Sequence, residues 1–134
     1  MISYLCSPVV SNEALNELFA SAWTEHSYTD FEGLLKHSQF YICAFDDDTL
    51  VGFIKLIGDG GVHGFLLDTT VHADYQKQGI GTELVKQCLT FAKEQNITWV
   101  HVDYEAHLDS FYKGCGFKAT AAGLVNLYQF RLSP

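Results

Sequence analysis

The chain has 134 residues, which suits one compact domain, so we expect a single domain over residues 1–134. Its 16 acidic residues outnumber its 8 basic ones, and the formal net charge of −8 argues against nucleic acid and anionic membranes as partners. An apolar share of 48% argues against disorder.

Targeting and metal signals are both absent from the sequence. No apolar run approaches the ~20 residues of a membrane helix, and the first residues do not resemble a secretory signal, so we expect a cytoplasmic protein. The four cysteines are tens of residues apart and match no zinc-ligand spacing. We therefore expect free thiols and no metal.

The first half of the chain predicts two helices and then an antiparallel meander. One helix begins near Ser11, whose hydroxyl suits the capping position, and a short second helix covers residues 30–37. Tight turns rich in aspartate or glycine separate the strands that follow. Those strands are predicted at residues 40–45, 50–57 and 62–71.

The second half alternates helices and strands. Its elements are predicted as a helix over 79–94, a strand over 98–103, a short helix over 107–113, and two closing strands over 117–122 and 125–132. A meander followed by this alternation indicates an α/β fold with a mixed sheet.

The most informative segment is the glycine turn, residues 76–81, which joins the third predicted strand to the long helix. The first amide groups of a helix have no internal partners, and with the helix dipole they favour a phosphate group. Glycine at 79 and 81 removes side chains that would block its approach, and Lys77 adds a positive charge.

Other interpretations of two glycines at a helix start remain. Leu84 stands where the dinucleotide fingerprint needs a small residue, and Thr82-Glu83 does not complete a P-loop. Close packing at the helix start explains the glycines as well as a ligand does.

Two motifs resemble the GCN5-related N-acetyltransferase (GNAT) family. Gln76-Lys77-Gln78-Gly79-Ile80-Gly81 is similar to its coenzyme A-binding motif, Gln/Arg-x-x-Gly-x-Gly/Ala. The segment 111–117, Phe-Tyr-Lys-Gly-Cys-Gly-Phe, resembles its Phe/Leu-Tyr-x-x-x-Gly-Phe signature. Val51-Gly52-Phe53 and the strand ending in Val71 resemble the family's third and fourth strands.

This resemblance implies a mixed, centrally splayed β-sheet of about six to seven strands flanked by about four helices. It also implies acetyl-CoA as co-substrate, held in the gap between the fourth and fifth strands. The residues that the resemblance assigns to acetyl-CoA are Thr70, Val71, Gln76, Lys77, Gln78, Gly79, Ile80, Gly81 and Thr82.

The resemblance also implies the chemistry, a direct transfer of acetyl from sulfur to an amine in a ternary complex. Tyr112 occupies the family's general-acid position, and a phenol is protonated at neutral pH. Asp68 lies where the family often carries an acidic residue and is the first candidate for the general base. The alternatives are His72, and Asp103 or Glu105 acting through water.

The chain departs from the family pattern at two positions before the tyrosine. Many members carry asparagine seven residues before it and a small residue four before it, whereas this chain has Glu105 and Leu108. The asparagine often supports the pantetheine arm of coenzyme A, so that contact differs here.

The acceptor is expected near the first two helices, which wall off this site in the family. Aromatic rings beside carboxylates suit a small cationic amine, and the net charge of −8 favours the same ligand. The candidate acceptor residues are Trp23, Tyr28, Asp30 and Phe31. The alternatives are a protein or peptide amine as acceptor, or a non-catalytic acyl-CoA-binding module. Homodimers are frequent in the family, so a homodimer is one expectation.

Overall fold

The computed structural model describes residues 1–132 and contains an open sheet with helices on both faces. The strands are β1 (Ile2–Cys6), β2 (Phe40–Asp46), β3 (Thr49–Gly58), β4 (His63–Val71) and β5 (Trp99–Val102). The helices are α1 (Asn12–Ala22), α2 (Phe31–Lys36), α3 (Ile80–Glu94) and α4 (Asp109–Gly114), with short 3₁₀ turns at Ala73–Tyr75 and Ala106–Leu108.

The sheet follows the order of the chain, β1-β2-β3-β4-β5. The first four strands pair antiparallel, and β5 pairs parallel to β4 after the α3 crossover. The mixed α/β fold predicted from the sequence is therefore confirmed, with five strands in the described residues rather than six to seven.

Strands β2 and β3 are buried on both faces, which explains their nearly continuous apolar sequences. Ile54 and Leu56 of β3 pack into the core beneath α3, whereas Phe53 packs on the opposite face against α1 and α2. The sheet therefore has a hydrophobic core on each face.

The first helix begins at the predicted cap, and the second begins one residue after the predicted start at Asp30, which caps it. The Ser11 hydroxyl accepts a hydrogen bond from the amide of Ala14 (3.1 Å), and the Asp30 carboxylate accepts one from the amide of Glu32 (3.1 Å).

Two sequence-based expectations were wrong. Strand β1 was not predicted, because its five residues show no clear alternation and it forms by pairing with β2 across 34 or more intervening positions. The two closing strands do not form in residues 117–132, although their apolar composition suited them. A strand needs a partner for its main-chain groups, and this segment pairs with no strand of the described sheet.

Strands β4 and β5 separate at the centre of the sheet. Their pairing runs from His63 and Trp99 to Leu66 and Val102, where β5 ends while β4 continues to Val71. The last residues of β4 therefore have no neighbour on that side, which gives the splayed sheet predicted from the sequence.

Within residues 1–132, no helix is long and apolar enough to cross a membrane. The four cysteines, Cys6, Cys43, Cys88 and Cys115, are unpaired.

Candidate functional site

The gap between β4 and β5 opens into a cleft of about 710 Å³. Its walls come from the end of α1, the end of β4, the glycine turn with the start of α3, and the segment from β5 into α4. The cleft is lined by residues 22–23, 68–71, 75–77, 79–82, 103–105, 107–108 and 111–112. It therefore brings together both motifs identified in the sequence.

The glycine turn forms one end of the cleft and exposes its main chain. Lys77 and Gly79 have positive φ values of 63° and 85°, so the chain turns sharply before α3 begins. Gly79 is the N-cap of α3 and supplies no side-chain cap, so the amides of the first helical turn are left for a ligand. An anion fits this geometry.

Side chains of the glycine turn either support it or leave it open. The Gln76 side-chain amide donates to the carbonyl oxygen of Val71 (3.1 Å) and ties the turn to the end of β4. Lys77, Gln78 and Gly79 are exposed, and the Thr82 hydroxyl lies on the first turn of α3 beside the cleft. Ile80 is the exception, since it is buried in the core below.

A β-bulge in β4 shapes the centre of the cleft. Phe53 pairs with Thr70 and Lys55 pairs with Leu67, so Asp68 and Thr69 together lie opposite a single residue of β3. Asp68 adopts a φ of 61° and extends its carboxylate to the Lys55 ammonium (3.0 Å). The candidate base is therefore held at the cleft by a lysine that is only 12% exposed.

The bulge also decides which way the following side chains point. Leu66 packs in the core beneath α3, and in a regular strand Thr70, four residues later, would point the same way. Instead the Thr70 hydroxyl accepts a hydrogen bond from the Trp23 indole on α1 (3.2 Å), and Thr69 turns to Tyr112.

Tyr112 projects from α4 towards the end of β4. Its hydroxyl donates to the Thr69 hydroxyl (3.3 Å), and its ring is buried. Burial raises the pKa of Tyr112 above its ordinary value, so the phenol keeps its proton through the neutral range.

The candidate acceptor residues do not lie together. Trp23 lines the cleft, whereas Tyr28 is 71% exposed and outside it. Asp30 caps α2 and accepts a hydrogen bond from the Asn12 side chain (3.2 Å). Phe31 is only 5% exposed because it packs against Phe19 in the core below α1 and α2.

Carboxylates instead come from the strand ends. Asp68, Asp103 and Glu105 line the cleft, and Leu108 lies beside them. His72, the remaining alternative base, accepts a hydrogen bond from the Asp74 amide at Nδ1 (3.1 Å) and does not line the cleft.

Three contributors to the site were missed by the sequence analysis: Lys55, Thr69 and Tyr104. Lys55 binds Asp68, Thr69 binds Tyr112, and the Tyr104 ring stacks on that of Tyr112 (4.8 Å between centroids). Each pair joins separate elements, so no spacing in the sequence could have indicated it.

The cleft of a splayed α/β sheet thus joins an open glycine turn to a buried tyrosine. The model of the acetyltransferase (GNAT) family matches residues 11–117. The chain belongs to this family.

Individual relatives agree with that assignment. An uncharacterized N-acetyltransferase, ycf52, of the red alga Porphyra purpurea is 26% identical over 112 residues, which are 81% of this chain and 64% of that protein. The chain thus spans less than two thirds of that relative's length.

Solved structures show the same fold. A GNAT-family acetyltransferase from Streptococcus pneumoniae is 30% identical with a TM-score of 0.79, covering 95% of this chain and 99% of that one. An aminoglycoside acetyltransferase from an uncultured soil sample is 20% identical with a TM-score of 0.70, covering 98% and 97% of the two chains. Both of these solved structures are described as acetyltransferases.

Proposed function

We propose that this protein transfers an acetyl group from acetyl-CoA directly to a primary amine of a small cationic molecule, in a ternary complex. One observation carries the proposal: a single cleft joins the exposed amides of the glycine turn to the Tyr112 hydroxyl, between two separated strands.

The main chain fits a coenzyme A thioester at both ends. The amides that open α3 suit a diphosphate, with Thr82 and Lys77 as further donors. At the end of β4, the His72 amide donates to the Val51 carbonyl of β3 (2.8 Å). In an antiparallel pair, successive residues of one strand alternate between pointing their amides at the partner strand and pointing them away from it. The amide of Val71, the residue before His72, therefore points away from β3 and into the cleft.

These groups have separate roles in the reaction. The Val71 amide stabilises negative charge on the thioester oxygen, an effect of ~3 kcal/mol for a preorganised donor. As the amine nitrogen bonds to the acetyl carbon and the carbon–sulfur bond breaks, Asp68 accepts the amine proton and Tyr112 donates its proton to the departing thiolate. Proton return through solvent then restores both residues.

The charge of the cleft favours a cationic acceptor. Asp68, Asp103 and Glu105 all line the cleft, and so does Trp23. Carboxylates and an aromatic face both attract an organic ammonium. Polyamines, amino acids and aminoglycoside-like compounds share this chemistry.

A thiol-release assay with acetyl-CoA and a panel of amines tests the proposal. We expect turnover with small polyamines or aminoglycosides and less with singly charged, weakly basic amines such as glucosamine. Turnover with a peptide amino group alone would replace the acceptor class. Coenzyme A binding by calorimetry without turnover of any amine would indicate a non-catalytic module, and no binding at all would contradict the whole proposal.

A cytoplasmic location also belongs to the proposal, and the four unpaired thiols support it. A relative from Arabidopsis thaliana is named chloroplastic. Imaging of the tagged full-length protein in its own cells tests the location.

A further inference from the structure

A second tyrosine stacks on the candidate general acid. The rings of Tyr104 and Tyr112 lie 4.8 Å apart at an interplanar angle of 26°. Phe111 and Phe117 lie nearly perpendicular to the Tyr112 ring, at 4.9 and 5.8 Å between centroids. Of these three neighbouring rings, Tyr104 alone stacks on Tyr112.

Tyr104 is itself anchored through its hydroxyl. It donates to Oδ1 of Asp109 (2.8 Å), and Nζ of Lys113 donates to Oδ2 of the same carboxylate (2.8 Å). The hydrogen bonds to Lys113 and Tyr104 lower the pKa of Asp109, which therefore stays charged as the acceptor of both. The hydrogen bond to Asp109 therefore holds the Tyr104 ring, which follows β5, against the first turn of α4.

The two phenols are in different states. The Tyr104 hydroxyl donates a hydrogen bond to the Asp109 carboxylate at 2.8 Å, and this hydrogen bond raises the pKa of Tyr104. The Tyr112 proton is held only by a neutral hydroxyl at 3.3 Å. Tyr112 is thus the phenol with a transferable proton, and Tyr104 is poorly suited to act as an acid.

Helix α4 needs outside support to hold Tyr112 in place. It has only six residues, and a helix this short is not stable by itself in water. An acid must lie within hydrogen-bond reach of its acceptor, and a displacement of about 1 Å can cost about 100-fold in rate.

We propose that Tyr104, anchored by Asp109, is a positioning residue that fixes the ring plane of Tyr112 and directs its hydroxyl into the cleft. This inference rests on the proposed acetyl transfer and on the role of Tyr112 in it. It assigns a function to the contact between Tyr104 and Asp109, two residues that lie outside both sequence motifs.

The test compares Tyr104→Leu, which removes the stacked ring, with Tyr104→Phe, which keeps it. We expect Tyr104→Leu to lower kcat by about tenfold while KM for acetyl-CoA changes less than about twofold, because the glycine turn is untouched. Tyr104→Phe keeps the ring but loses the hydrogen bond to Asp109, so it is expected to lower kcat only about threefold.

The same substitution in a Tyr112→Phe background separates positioning from general damage. If Tyr104 acts through Tyr112, Tyr104→Leu has no further effect on kcat there. An equal loss in both backgrounds, or no loss in the wild-type background, would overturn the proposal.

A second variant covers the case in which Tyr104→Leu does not fold. The Asp109 side chain is 40% exposed, so Asp109→Ala is expected to fold, which thermal unfolding checks. It frees the Tyr104 hydroxyl and is expected to lower kcat about threefold in the wild-type background and not in Tyr112→Phe. An unchanged kcat in folded Asp109→Ala contradicts the anchor. Wild-type protein without any turnover instead contradicts the proposed function.

Discussion

The two ends of the cleft are built in different ways. At the glycine turn the groups proposed to bind coenzyme A are main-chain amides. Their direction follows from positive φ values at Lys77 and Gly79, within one short segment. At the other end the chemistry depends on side chains: Asp68 from the β4 bulge, Tyr112 from α4 and Trp23 from α1.

This difference predicts how each end responds to substitution. An amide site depends on backbone conformation, so most side-chain changes there have little effect and only a glycine is critical. A side-chain site depends on each group and on the elements that hold it. Substitutions at the two ends of the cleft, together with a pH profile, test that contrast.

Tyr112→Phe is expected to have the largest effect. Loss of the general acid lowers kcat by about 100-fold, while the dissociation constant of acetyl-CoA stays nearly unchanged because the glycine turn is intact. Steady-state kinetics and calorimetry measure the two quantities. Unchanged turnover would remove the assigned role of Tyr112.

High pH should reproduce that loss in the wild-type protein. Burial raises the pKa of Tyr112 above the ordinary 10.0, and the acid works only while it is protonated. We expect kcat to stay level through neutral and mildly alkaline pH and to fall by about tenfold per pH unit above the raised pKa of Tyr112. Tyr112→Phe is the control and should lack this limb; its presence there would assign the limb to another group.

Asp68→Asn is expected to lower kcat by at least about tenfold, because an amide cannot accept the amine proton. The matched control is Glu105→Gln, since Glu105 lines the same cleft but is 84% exposed. We expect its kcat to stay within about twofold of wild type. The reverse ranking would transfer the role of base to Glu105.

Gly79→Ala tests the amide end. A side chain in the left-handed region costs about 1 kcal/mol, so the turn relaxes and acetyl-CoA affinity falls by up to about tenfold, with kcat little changed. Gly60→Ala is a matched control, since Gly60 has nearly the same φ (84° against 85°) and equally open space in the β3–β4 turn. Both variants should lose similar stability on thermal unfolding, and equal losses of affinity would contradict a role for the glycine turn.

Trp23→Phe is expected to have the smallest effect. It keeps an aromatic ring but removes the hydrogen bond to Thr70, so KM for the amine should rise about threefold while acetyl-CoA affinity is unchanged. A change confined to acetyl-CoA affinity would place Trp23 on the other side of the reaction.

Much of the fold followed from local signals. The predicted cap at Ser11, the short helix near residues 30–37, the turns between strands and the long helix α3 all lie where the sequence indicated. The failures were β1 and the segment 117–132, and both involve strands. A strand's existence depends on a distant partner, and local composition does not identify that partner.

The site divides in the same way. The acetyl-CoA motif was evident because the glycine turn is a local structure, set by residues 76–81 themselves. Of the four candidate acceptor residues, only Trp23 lines the cleft. The sequence could not distinguish it from the others, because an aromatic residue in a helix or loop has the same sequence pattern whether it faces the core or a ligand.

Local sequence signals were enough to predict the order of elements from α1 to α4, the glycine turn and the tyrosine of α4, because each depends on residues close along the chain. The tertiary structure was needed to show that Asp68 lies in a bulge and binds Lys55, that Thr69 and Thr70 point to different sides, and that Tyr104 stacks on Tyr112. The physical reason is that one extra residue in a strand reverses the direction of every side chain after it, and its position is set by pairing with another strand.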